Sequence, residues 1–110
     1  MTDGVELPQA VAAIVDAINN GDEDAFVAAF APDGYVDDWG RVLHGPDGVR
    51  SWSQTDAIGM NASVTVLSAS TEGDTTRIAF DWKSNRFNGQ SEAYVTVADD
   101  QVTAFRIPAG

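Results

Sequence analysis

The sequence contains no cysteine and a single histidine, His44. Without thiols there can be no disulfide, no thiolate metal site and no cysteine nucleophile, and one imidazole cannot build a two-histidine metal centre. Positive charge is scarce as well. Six Lys and Arg stand against 17 Asp and Glu, a formal net charge of -11 over 110 residues. Such a surface repels nucleic-acid phosphates and anionic lipid headgroups, so neither nucleic acid nor membrane is expected as a partner. The carboxylate excess reads as a solubility feature. No apolar run is long enough to cross a bilayer. The first ten residues carry no Lys or Arg ahead of an apolar stretch, so no secretory signal is expected and the cytoplasm is the expected location. Gly-rich phosphate loops, nucleotide fingerprints, serine-nucleophile motifs and zinc spacings are missing too, and no cofactor or metal is expected.

What is present is a globular balance, 44% hydrophobic and 21% charged, in a chain long enough for one core. One domain over residues 1–110 is expected. Val11, Ile14, Val15 and Ile18 follow the i, i+3, i+4, i+7 spacing of a helix with one buried stripe; Pro8 suits its first turn and Asn20-Gly21 its end. Asp22 is placed to cap a second helix with Phe26, Ala29 and Phe30 on one face, stopped by Pro32 and Gly34.

Tyr35 to Asp38 and Arg41 to His44 read as short strands about Trp39-Gly40. A two-residue loop pairs Asp38 with Arg41, Val36 with Leu43 and Tyr35 with His44. Opposed residues share a face and successive residues alternate, so Val36, Leu43, Asp38 and Arg41 fall together on the apolar side. Pro46 can start a third helix with Val49 and Trp52 on its inner face, and Ser53 to Asn61 is the least regular stretch. Ala62–Thr71, Thr75–Ser84, Gln90–Ala98 and Gln101–Ile107 read as four strands of an antiparallel meander, turning near Gly73-Asp74, Asn88-Gly89 and Asp99-Asp100. Ile78, Phe80 and Trp82 alternate with polar neighbours and are assigned to the helix-covered face.

Asn20-Gly21-Asp22, Phe30-Ala31-Pro32-Asp33, the acidic hairpin and His44-Gly45-Pro46-Asp47-Gly48-Val49, in this order, resemble the NTF2-like superfamily, which includes SnoaL-like polyketide cyclases and ketosteroid isomerases. The resemblance spans Val11 to Ile107. It implies an α+β cystatin-like cone, two to three N-terminal helices packed on a strongly curved, mostly antiparallel sheet. It also implies a conical cavity, whose wall would comprise Ile14, Phe30, Trp39, Trp52, Ile58, Met60, Ile78, Phe80, Trp82, Ala93, Val95 and Phe105. In the isomerases a catalytic carboxylate lies on the strand matching Tyr35–Asp38, and the match falls on Asp38. The oxyanion donors of those enzymes correspond to Ile14 and Ala93, which cannot donate a hydrogen bond, so steroid isomerisation by that route is not expected.

Asp38 is therefore the leading catalytic candidate. A carboxylate at the rim of an apolar cavity would have a raised pKa and could move a proton near neutrality; a solvated hairpin aspartate paired with Arg41 would not. Asp37 should point away. His44, opposite Tyr35, is a weaker candidate for a proton shuttle and otherwise packs on the outer face or ties down the third helix. Asp56 lies in the segment that could roof the cavity, or is simply solvated. Trp52 and Trp82 suit a core. Trp39 at the hairpin tip either lines the mouth or meets a partner subunit. Tyr94, out of phase with Val95 and Val97, projects from the outer sheet face beside Glu92 and Thr96, a patch resembling the twofold dimer face of many superfamily members. Two functions follow: a cofactor-independent proton-transfer enzyme acting on a small apolar organic molecule, or a non-catalytic ligand-binding or dimerisation module.

Overall fold

The computed structural model describes residues 6–108. Helix α1 (Gln9–Asn20) begins at Pro8, which lacks the N–H that a helix start would leave unpaired. It ends where Gly21 adopts φ 67°, with the Gly21 N–H on the Ile18 carbonyl and the Asp22 N–H on the Ala17 carbonyl. This double bond pattern satisfies the last carbonyls and needs a residue tolerant of left-handed backbone. Asp22 then accepts the Ala25 N–H at 3.1 Å and starts α2 (Glu23–Ala28).

The second helix is shorter than its apolar spacing predicts. Phe30 does not continue it but opens β1 (Phe30–Asp38), because Phe30 pairs with Val102 and the Val102 N–H bonds the Ala29 carbonyl at 2.8 Å. Sheet pairing thus overrides the local helical pattern at Phe30, and Ala31, immediately before Pro32, is in any case disfavoured in helical backbone. Between Phe30 and Tyr35 the strand shifts register. Gly34 is required there: a Cβ on it would sit 2.8 Å from the Val102 carbonyl oxygen.

Strand β2 (Arg41–His44) pairs with β1 in the register that a two-residue loop predicts, Asp38 opposite Arg41 and Tyr35 opposite His44. Trp39 and Gly40 both hold positive φ, 55° and 88°, the backbone of a primed hairpin turn. Helix α3 (Gly45–Asp56) follows with Pro46 in its first turn, then a 3-10 turn at Ile58–Met60. Strands β3 (Ser63–Glu72), β4 (Thr75–Lys83), β5 (Gly89–Ala98) and β6 (Gln101–Ile107) form the expected meander. The six strands run in the order β2-β1-β6-β5-β4-β3 and are antiparallel except for β1 with β6. At the β3 edge the Asn19 side chain stands in for a strand, donating to the Val64 carbonyl at 2.9 Å and accepting the Val64 N–H at 2.6 Å. This fastens α1 to the sheet and blunts its edge.

The sheet curls around the three helices, and one core fills the space between them. Trp52 sits at its centre, 1% exposed, stacked on Phe26 at 5.9 Å and meeting Phe105 edge-on at 5.7 Å. Arg50 fastens α3 to α2 through Glu23 at 2.7 Å and Asp24 at 3.1 Å. None of the described helices is long and apolar enough to cross a membrane.

Candidate functional site

A half-open cavity of about 290 Å³ lies between the β1–β2 hairpin, the end of α3 and the β4–β5 loop, walled by Trp39, Trp52, Phe80, Trp82, Phe87 and Ile107. Its polar lining is Asp38, Asp56, Arg86 and Ser91. Strand alternation explains most of this. Asp38 shares a face with Val36, which is fully buried, and the tight hairpin keeps that phase to the strand end. Phe80 pairs with Ser91, and Trp82 follows two residues on, so all three point inward from neighbouring strands.

Asp38 is held in place. The indole Nε1–H of Trp52 donates to its Oδ2 at 3.1 Å, and Arg41 lies 3.7 Å from the same oxygen. Because Trp52 is clamped by Phe26, Phe105 and Trp82, its N–H is a fixed donor and the carboxylate it meets is oriented. Arg41 is shared, and its shorter ion pair, 3.0 Å, is with Asp56. The two carboxylates are mostly enclosed, with 22% and 17% of the Asp38 and Asp56 side chains exposed. Burial pushes the Asp56 carboxyl up, but hydrogen bonds from the Thr55 hydroxyl and Arg41, with the charges of Arg41 and Arg86, outweigh it and bring the pKa below its ordinary 3.8.

The other expected residues divide clearly. Trp39, Trp52, Phe80 and Trp82 line the cavity. Ile14, Phe30, Ile78, Ala93, Val95 and Phe105 do not; they are buried in the closed core, all at 5% exposure or less. Trp52 is one of the large side chains that fill this core, packed on Phe26, Trp82 and Phe105, and the cavity lies at its Nε1 edge beside Asp38. Ile58 and Met60 do not roof the cavity either. Their 3-10 turn packs beside the core, where the Met60 carbonyl accepts the Asn85 N–H at 2.9 Å. Ile14 and Ala93 are closed into the core and offer no hydrogen-bond donor to the cavity.

His44 is outside the cavity. It is exposed at the start of α3, with its ring tilted on Tyr35 at 5.5 Å, on the opposite face of the hairpin from Asp38. His44 packs on Tyr35 and does not line the cavity that holds Asp38. Asp37 also points away, its Oδ1 accepting the Gly40 N–H at 2.9 Å and shaping the turn. Tyr94 lies on the outer face beneath the Arg106 guanidinium, 5.6 Å from the ring centre, and Arg77 grips Glu92 there with bonds of 3.2 and 2.7 Å.

Arg86, Phe87, Ser91 and Ile107 escaped the sequence reading. Ser91 and Ile107 were legible as inward positions two residues from Ala93 and Phe105. Arg86 and Phe87 were not, because a loop has no period. That loop is organised by Ser84, whose hydroxyl oxygen accepts the Arg86 and Phe87 N–H groups at 3.1 and 2.8 Å, while Asn88 accepts the Ser84 N–H at 3.0 Å. Phe87 is thereby presented half-exposed over the mouth, opposite the hairpin. Among the described residues no group of three or more metal-ligating side chains assembles.

The same architecture occurs in solved structures. A candidate polyketide cyclase from Sinorhizobium meliloti superposes with a TM-score of 0.81 at 23% identity, covering 92% of this chain and 94% of that one. A protein of ketosteroid isomerase-like fold from Catenulispora acidiphila, solved in complex with trimethylamine, gives 0.80 at 22% identity over 96% and 88%. A candidate ketosteroid isomerase from Kribbella flavida gives 0.78 at 14% identity over 94% and 78%. At these identities the likeness is one of fold. No curated protein matches the chain by sequence. The two helices, the acidic hairpin and the curled sheet nevertheless coincide with the model of one family over residues 11–110, and the chain belongs to that family, the SnoaL-like domain.

Proposed function

We propose that the cavity beside Asp38 binds a small, mostly apolar organic molecule, and that Asp38 transfers a proton to or from it without a cofactor. The observation that carries this reading is the pairing of Trp52 with Asp38. A rigid, buried donor fixes one carboxylate oxygen at 3.1 Å, and the carboxylate itself lines an aromatic cavity, the arrangement that general acid-base chemistry requires. The proton acceptor is then positioned before the substrate arrives. Oxyanion stabilisation from Ile14 and Ala93 is unavailable, so developing negative charge would have to be met at the mouth, by Arg86 or Ser91. Asp38→Asn keeps an oxygen for the Trp52 N–H, should leave fold and affinity for a neutral ligand intact, and should lower turnover of a verified substrate by roughly 10² to 10⁴. Unchanged turnover would leave a binding role alone.

A non-catalytic role is the second reading, favoured by Arg41, which stands 3.7 Å from Asp38 and competes with a substrate for it. In either case we propose a homodimer through the outer sheet face around Tyr94, in the cytoplasm.

A further inference from the structure

We infer that the ligand of this cavity is a small organic cation, an alkylammonium group held by aromatic faces and by Asp38. The inference rests on the proposed ligand-binding role of the cavity and names the class of molecule it takes.

Five of the residues lining the cavity are aromatic: Trp39, Trp52, Phe80, Trp82 and Phe87. Aromatic faces carry negative potential and attract a positive charge brought within about 6 Å of the ring centre, most strongly where water is excluded. Trp39 and Phe87, 62% and 52% exposed, are the rings free to offer a face, and they share the cavity with two carboxylates, a combination that discriminates by charge. Among the described residues the Asp38 Oδ1 accepts no hydrogen bond, since both the Trp52 donor and the Arg41 contact fall on Oδ2. One carboxylate oxygen is therefore free for a ligand cation.

The cations already present do not fill this role. Arg41 is drawn to Asp56 at 3.0 Å and is half exposed. Asp38 and Asp56 face two guanidiniums, Arg41 and Arg86, so the formal charges balance and exposure decides: the carboxylates are mostly enclosed and both guanidiniums reach solvent. Arg86 lines the cavity but makes no ion pair within 4.0 Å among the described residues, and its Ser84-organised loop is open to solvent. An anionic ligand would meet both enclosed carboxylates and the field of a chain with net charge -11, against two guanidiniums that are both open to solvent. A cation is drawn in by that same field. The volume of about 290 Å³ lies at the small end for ligand cavities, which run from about 300 Å³ upward, so the molecule is small.

Three probes of one shape and different charge test this on the whole chain: choline, the neutral 3,3-dimethyl-1-butanol and the anionic 3,3-dimethylbutanoate. Binding is followed by calorimetry and by the indole N–H resonances of Trp39, Trp52 and Trp82. Choline is expected to bind at least tenfold more tightly than the alcohol and to shift these resonances, with the carboxylate weakest. Asp38→Asn should reduce choline affinity about tenfold and leave the alcohol unchanged, and added salt should weaken choline alone. Equal or tighter binding of the alcohol, or tightest binding of the carboxylate, overturns the cation inference while leaving the cavity as a ligand site. If no probe moves the indole resonances, the cation inference and the ligand-binding role fall together.

Discussion

The Trp52 indole N–H and the Asp38 carboxylate, 3.1 Å apart, join the centre of the core to the wall of the cavity. One side chain serves both. Its ring packs against Phe26, Phe105 and Trp82, while its only hydrogen-bond donor is directed at the candidate catalytic group. On the proposed reading of Asp38, stability and function are coupled at this residue. Trp52→Ala should cost about 3 to 5 kcal/mol, as large aromatic deletions from a core do, measured by urea unfolding. Trp52→Phe should retain much of that packing and lose the bond to Asp38. It should therefore reduce turnover of a verified substrate more than it weakens binding, whereas a purely structural residue would affect neither in the folded variant.

Asp56 should make stability depend on acid pH. Its folded pKa lies below its ordinary 3.8: burial raises it, but the Thr55 hydroxyl, Arg41 and Arg86 outweigh burial. A depressed carboxylate pKa contributes stability that is present above the unfolded value and disappears as pH falls through the folded one. Urea midpoints measured from pH 7 down to pH 2 should fall for the native chain at the acid end. Asp56→Asn should lack that part of the loss, and the two curves should converge below the folded pKa. Parallel curves over the whole range would mean that the Arg41–Asp56 pair contributes nothing.

Trp39 holds φ 55° and is 62% exposed, two costs carried by one residue. A non-glycine side chain in left-handed backbone costs about 1 to 2 kcal/mol, and Asn tolerates that conformation better ahead of Gly40. Trp39→Asn should therefore stabilise the fold by about 1 kcal/mol in thermal or urea unfolding while weakening ligand binding at the mouth. Lower stability, or unchanged affinity, would show that the strain is not held for the cavity.

Gly34 should not tolerate a side chain. A Cβ there would meet the Val102 carbonyl oxygen at 2.8 Å, backbone against backbone, where neither strand can yield without breaking the β1–β6 pairing. Gly34→Ala should destabilise by about 1 to 3 kcal/mol, as overpacking does, with loss of amide protection concentrated in β1 and β6.

The outer face offers a test of assembly. Arg77 and Glu92 pair with each other, Arg106 covers Tyr94, and Val42 remains 44% exposed. Sedimentation at micromolar concentration should give the mass of a dimer, and Tyr94→Glu should shift it toward monomer. A mass equal to one chain at every concentration would exclude this face as a twofold interface.

The sequence by itself determined the elements and their facing. Helix ends at Gly21 and Asp22, the hairpin register and the inward phase of Asp38, Phe80 and Trp82 all follow from spacing, because backbone period and turn chemistry act over a few residues. Asp38 was legible for that reason, and so was the outward turn of Asp37. Tertiary structure decided the rest. Phe30 left its helix because β6, more than seventy residues away in sequence, offered a parallel partner. Trp52 packed on Phe26, Trp82 and Phe105, and Ile14, Ile78, Ala93, Val95 and Phe105 ended in a closed core. Periodicity can tell inward from outward, but not packed from vacant, since that depends on which side chains of other elements arrive first at the same space. Arg86 and Phe87 reached the mouth through a loop held by Ser84, whose bonds follow no period. Arg41 divided itself between Asp38 and Asp56, a choice set by distances across three elements that no local pattern encodes.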